Sequence, residues 1–149
     1  MTPRARSDDE GSITVLVLGY FLVCVLLVTV VVNVSKVLLV RRSLAGAADG
    51  AAVAASNGLD ERQIYRGDLG EAVPLSDAAA GALVEDYVDA AGLAAHFDGF
   101  QVVAVDTDGE AATVTFAAVV PLPFLNLLSA EYAGGVPLTA TATARSAVG

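Results

Sequence analysis

Tryptophan is absent from the 149 residues, and cysteine, histidine, lysine and methionine occur once each. With Cys24 alone, no disulfide can form within the chain, and cysteine usage carries no information about redox compartment. A histidine-based zinc site is out of reach with His96 as its one imidazole. Cys24 lies inside an apolar run, so no Cys–His pair exists outside that run, and only one Ser–His arrangement could be attempted. No glycine-rich phosphate loop is present. Bases are scarce beyond residue 59, where 13 acids face only Arg62, Arg66 and Arg145. A segment this acidic repels phosphate backbones, so no nucleic-acid partner is expected, and anionic lipid headgroups repel it too. Catalysis, a cofactor, a metal and a small-molecule substrate are likewise not expected.

Two acidic clusters invite a chemical reading and favour a plainer one. Asp106-Thr107-Asp108-Gly109-Glu110 resembles the start of a calcium loop but lacks the further ligands and the distal glutamate, so a hairpin turn is expected. Glu85 and Asp89 are paired carboxylates one helical turn apart, as is ordinary on a solvated helix face.

What the chain does have is hydrophobicity, with a mean hydropathy of +0.64. Its main source is the 25-residue stretch from Gly11 to Ser35, which contains no charge. As a helix this spans about 37 Å, more than the roughly 30 Å of a bilayer's hydrocarbon core. Its many valines would favour a strand in water. In lipid every backbone N–H and C=O must be paired within the segment, so a helix is required. The run exceeds the apolar region of a cleavable secretory signal, and the first small-residue site, Ala45-Gly46-Ala47, lies beyond Lys36, Arg41 and Arg42. An uncleaved anchor is expected. Charge does not orient it, because Arg4 and Arg6 on one side nearly balance Lys36, Arg41 and Arg42 on the other.

Thr29, Asn33 and Lys36 fall on one helical face. Two readings stand: the face meets another helix, or Asn33 and Lys36 are already at the wet interface. The helix is expected to continue through Ser43 to Asn57-Gly58, where Leu44, Ala47, Ala48, Ala51, Ala52 and Ala55 form a stripe of mostly small side chains. Gly46 and Gly50 lie within the same stretch at GxxxG spacing, which permits close helix approach. That stripe either covers the protein's own sheet or faces another subunit. Residues 60–74 read as loop.

A second, amphipathic helix is expected from Asp77, capped by Ser76, to about Phe97, with Gly99 as its stop. Its expected apolar face is Ala80, Leu83, Val84, Tyr87, Val88, Ala91, Ala94 and Ala95. Three strands follow at residues 100–106, 111–120 and 136–145. In the last, Leu138, Ala140, Ala142 and Ala144 alternate with Thr139, Thr141, Thr143 and Arg145. The expected fold class is α+β: a transmembrane helix extending into a juxtamembrane helix, then one helix packed on a three-stranded antiparallel sheet. Between the last two strands, Leu122, Phe124, Leu125, Leu127 and Leu128 make a loop too apolar to be left in water. It covers the sheet, dips toward the membrane or meets a partner.

With these elements placed, the chain resembles the TadE/TadG-like proteins of the Tad (Flp) pilus-assembly system. Glu10-Gly11-Ser12 opens the long apolar helix, and Arg41-Arg42-Ser43-Leu44 leads into Ala47-Ala48-Asp49-Gly50-Ala51-Ala52. Pro121-Leu122-Pro123-Phe124 then precedes the closing Leu138-Thr139-Ala140-Thr141-Ala142-Thr143-Ala144 strand. The resemblance implies a cytoplasmic tail over residues 1–10, a membrane helix over 11–35, a juxtamembrane extension over 36–58 and an extracytoplasmic domain over 59–149. It implies residence in the inner membrane as a pilin-like structural or assembly component. The implied partners are the lipid bilayer and other pilus or secretion-system membrane proteins, further copies of itself included. Pilin-like members present a glutamate five residues into the mature chain. Here Gly11 is followed by Ser12-Ile13-Thr14-Val15-Leu16, so prepilin-type processing is not expected and the mature chain should keep Met1 or Thr2. The alternative to a pilus role is a membrane-tethered binding or sensory module acting alone at the cell surface.

Overall fold

The structure is a computed structural model that describes residues 9–66, 77–108, 111–122 and 134–145. It contains α1 (Asp9–Arg66), α2 (Asp77–Ala90), α3 (Leu93–His96), β1 (Gln101–Thr107), β2 (Ala111–Val120) and β3 (Val136–Arg145). This is the expected α+β class, with a long N-terminal apolar helix and a small domain of helices and an antiparallel sheet. By contact density the chain divides into two units, residues 1–36 and 37–149.

In the first unit, α1 presents its large apolar side chains outward. Val15, Leu16, Tyr20, Phe21 and Leu27 are all more than 60% exposed. A helix that leaves such a surface uncovered requires an apolar surrounding.

In the second unit the three strands form a sheet of order β1-β2-β3, both pairs antiparallel. The β2–β3 register is unbroken from Ala111↔Arg145 to Val120↔Val136. The β1–β2 register shifts between Val102 and Ala104, which leaves Val103 exposed. Alternation sorts the two faces, as a period of two demands. Ala112, Val114, Phe116 and Ala118 of β2 and Ala140 and Ala142 of β3 are buried in one cluster with Leu44, Ala47, Ala48, Ala51, Ala52 and Ala55 of α1. Val84 and Val88 of α2, Leu93 and Phe97 complete that core. The opposite face carries threonine, and cross-strand pairs join its hydroxyls: Thr113 to Thr143 and Thr115 to Thr141, both at 2.9 Å.

Three departures from expectation have physical causes. First, α1 does not end at Asn57-Gly58 but runs to Arg66. Gly58 is needed there for space: an added Cβ would lie 2.8 Å from Leu83 Cδ1, so the glycine accommodates α2 rather than stopping the helix. Second, the expected single helix beyond Asp77 is broken in two. Gly92 adopts φ 60° and ψ 34°, a left-handed conformation that glycine takes without steric cost, and its N–H donates to the Asp89 carbonyl at 3.1 Å. Third, the break changes the buried face. Ala91, Ala94 and Ala95 are exposed, while Leu93 and Phe97 turn inward. Phe97, Phe100 and Phe116 then form a line of rings with centroids 6.2 and 5.1 Å apart. The expected cap Ser76 lies outside the described residues. Asp77 makes a tertiary contact instead, its Oδ1 accepting from the Thr107 N–H at 3.1 Å and so tying the start of α2 to the end of β1.

Phe116 is fully buried where the ring line, α1 and the sheet converge. Phe116→Ala should lower unfolding stability by about 3–5 kcal/mol, the usual cost of an aromatic deletion in a core. Thr115→Ala, which removes one exposed cross-strand hydrogen bond, should cost less than about 1 kcal/mol. Denaturant titration of the detergent-solubilised chain, followed by circular dichroism, compares the two.

Candidate interaction surfaces

The residues singled out in the sequence fall into different environments. Thr29 satisfies its hydroxyl inside the helix, donating from Oγ1 to the Val25 carbonyl at 2.8 Å. This back-bond leaves the helix no outward hydroxyl donor there. Asn33 is half-buried, and its side-chain Oδ1 is buried without a hydrogen-bond partner. Within a membrane helix, a polar atom in that state is costly. Lys36 is exposed. The three therefore share a face but not a chemistry, and Asn33 is the one with unmet hydrogen-bonding capacity.

The stripe on α1 is used inside the protein. Leu44, Ala48, Ala51 and Ala55 are completely buried, Ala52 nearly so and Ala47 largely so, all within the domain's own core. The reading in which the stripe covers the protein's own sheet is the one these residues adopt. Ser56, also buried, donates its hydroxyl to the Val53 carbonyl at 3.0 Å.

Gly46 and Gly50 separate from each other. A Cβ added at Gly46 would meet nothing within 4 Å, and the residue is exposed. A Cβ added at Gly50 would overlap the Tyr87 side chain, its hydroxyl oxygen first. Gly50 and Gly58 thus form a groove on α1 into which Tyr87 and Leu83 of α2 fit. The importance of Tyr87 was hidden in the sequence, where it reads as one more apolar-face residue; only its meeting with Gly50, on a different helix and far away in sequence, reveals it. Of the apolar loop, Leu122 is buried, and Phe124, Leu125, Leu127 and Leu128 lie outside the described residues.

Chemistry is sparse. His96 is exposed in the last turn of α3, its ring edge-on to Phe97 with centroids 4.9 Å apart. Among the described residues no group of three or more His, Cys, Asp or Glu side chains could hold a metal ion. A shallow cleft at the end of the β1–β2 hairpin is lined by Asp106, Thr107, Asp108, Ala111, Thr113, Thr143 and Arg145. Asp108 acts structurally there, its Oδ1 accepting from the Ala111 N–H at 2.7 Å while the Thr107 hydroxyl donates to the Ala111 carbonyl at 2.9 Å. Gly109 and Glu110 lie outside the described residues.

The molecule is thus an α+β domain carried on a helix that is long and apolar enough to cross a membrane. Residues 11–58 match the family described as putative Flp pilus-assembly TadE/G-like. Over those residues the chain is similar to the TadE/TadG-like proteins of the Tad pilus system. The match ends at residue 58, so α2, α3 and the sheet lie outside it. No curated protein and no solved structure matches the chain.

The two glycines should respond differently to alanine. Gly46→Ala replaces an exposed mid-helix glycine and should stabilise by about 0.5–1 kcal/mol through helix propensity. Gly50→Ala displaces the Tyr87 ring and should lose that gain, and Gly50→Leu should destabilise outright. Thermal melts of the variants in one detergent measure the order Gly46→Ala, wild type, Gly50→Leu from most to least stable.

Proposed function

We propose that the protein is a membrane-anchored, pilin-like structural or assembly component of a Tad/Flp-type pilus or related secretion apparatus. The observation that carries this reading is the exposed, charge-free helix over residues 11–35, which lies inside the family match. In this reading the helix crosses the inner membrane once, with residues 1–10 cytoplasmic and the acidic α+β domain extracytoplasmic. Action is by contact with other subunits and not by catalysis.

The proposed contacts are the Thr29–Asn33–Lys36 face, Gly46, and the loop residues Leu122, Phe124, Leu125, Leu127 and Leu128. Burial weights these unequally. Gly50 and Leu122 are already packed within the chain, which moves emphasis to Asn33 in the membrane segment and to the exposed surface at Gly46. The Asn33 side-chain oxygen, without a hydrogen-bond partner in a helix whose other side chains are largely exposed, supports pairing with another polar membrane helix.

One observation favours the second reading, a tethered binding or sensory module: the family match stops before the sheet domain. Purification from mild detergent distinguishes the two. A pilus component should bring other pilus-system membrane proteins with it, whereas a module that works alone should purify alone. Asn33→Leu should weaken co-purification by about threefold to thirtyfold, corresponding to an interhelical hydrogen bond of about 0.6–2 kcal/mol. Protease added to intact spheroplasts should digest the region beyond residue 60; full protection there would reverse the orientation.

A further inference from the structure

We infer that Arg41 and Arg42 form a docking point for the headgroups of anionic phospholipids, in the leaflet that meets the folded domain. This rests on the membrane anchoring in the proposed function and adds to it a lipid class and the residues that select it.

The inference comes from a short length of α1 in the second unit. Leu38 is 53% exposed and Leu39 67% exposed, whereas Leu44 is 0% exposed. Val40, half-buried, already packs against the domain core. Over these seven residues the helix changes from side chains that only lipid would cover to side chains covered by the protein. Two adjacent apolar side chains left this open in water are unfavourable by the transfer free energy of their area. They continue, along the sequence, an apolar stretch broken only by Lys36, so lipid is the occupant consistent with them. The level just past Leu39 is then the level of the headgroups.

Arg41 and Arg42 stand at that level, both exposed. Neither has an ion-pair partner among the described residues, although acids outnumber bases in the chain by 17 to 8. Asp49, Asp86 and Asp89 are among the described acids of the same unit, and none of the described carboxylates pairs with either arginine. The nearest acid along the helix, Asp49, is seven residues past Arg42. That is about 10 Å along the axis, beyond a Debye length of about 8 Å at physiological salt. A guanidinium offers the forked donor geometry that a phosphate diester accepts in pairs. Adjacent residues are separated by about 100° around a helix, so the two arginines reach two headgroups rather than one. A zwitterionic lipid brings its own ammonium beside the phosphate and competes with the arginine; an anionic lipid does not. The pair also offsets the repulsion that the acidic domain would otherwise experience at an anionic surface.

The test uses the full-length chain in mild detergent, with native mass spectrometry to count bound phosphatidylglycerol or phosphatidylcholine of matched acyl chains. Phosphatidylglycerol should be retained in preference, and raising the ionic strength should weaken it. Each arginine removed should lower retention about fivefold, so that R41Q/R42Q falls about 25-fold, toward the phosphatidylcholine level. R41K/R42K should keep most of the preference, and Arg145→Gln, which removes an exposed cation on β3, should keep all of it. Absence of a preference, or its survival in R41Q/R42Q, overturns the inference. So does an equal loss in Arg145→Gln, which would make the effect one of net charge. Displacement of the lipid by inorganic phosphate at the same concentration would mark a free-anion site and also refute lipid docking. Since both arginines are exposed, R41Q/R42Q should melt at the wild-type temperature; should it misfold, the single substitutions and R41K/R42K decide. Resistance to alkaline carbonate extraction tests membrane anchoring separately, so failure of lipid selectivity and failure of the anchor are distinguishable.

Discussion

The constraint on which the domain depends is the burial of one face of α1 in a single core with the inward face of the sheet. Leu44, Ala47, Ala48, Ala51, Ala52 and Ala55 form a single buried cluster with Val114, Phe116, Ala140 and Ala142. Alanine contributes little apolar area per residue, so the stabilisation of this core is concentrated in its few large side chains. Phe116, Leu44, Val84, Val114 and Val120 are its largest fully buried members. A second-unit core of this composition tolerates poorly any change that moves the helix away from the strands, because every small side chain loses its contacts together.

The same economy of space governs how α2 joins. Gly50 and Gly58 leave vacancies on α1 that Tyr87 and Leu83 occupy. The left-handed turn at Gly92 then redirects the chain, so that Leu93 and Phe97 reach the core that a continuous helix would have missed. The Asp77–Thr107 hydrogen bond ties the start of α2 to the end of β1, thirty residues apart. Backbone glycine and one carboxylate thereby position a helix whose own apolar surface is modest.

The membrane-facing part obeys a different solvent. Side chains that would be a liability in water are exposed all around α1 in the first unit, and the polar groups among them are informative by their hydrogen bonding. Thr29 is satisfied within the helix, while the Asn33 carbonyl oxygen is not. The two residues look equivalent on a helical wheel and are separated only by that bookkeeping of donors and acceptors.

The sequence by itself determined the elements with strong periodicity: the apolar helix, the amphipathic segment from Asp77, and three strands whose bounds differ from expectation by about one residue. It also determined the α+β class, since a period of two and a charge-free run of 25 residues admit few other structures. Tertiary structure decided the rest. The alanine stripe could have faced another subunit or its own sheet with the same helical period, because periodicity identifies a face and not what covers it. Asn57-Gly58 has the local form of a helix end, yet Leu83 needs the space at Gly58 and the helix continues. Gly46 and Gly50 are indistinguishable as a spacing, and only the approach of Tyr87 to one of them makes them different. Each of these outcomes depends on a contact between residues far apart in the chain, for which the local pattern carries no signal.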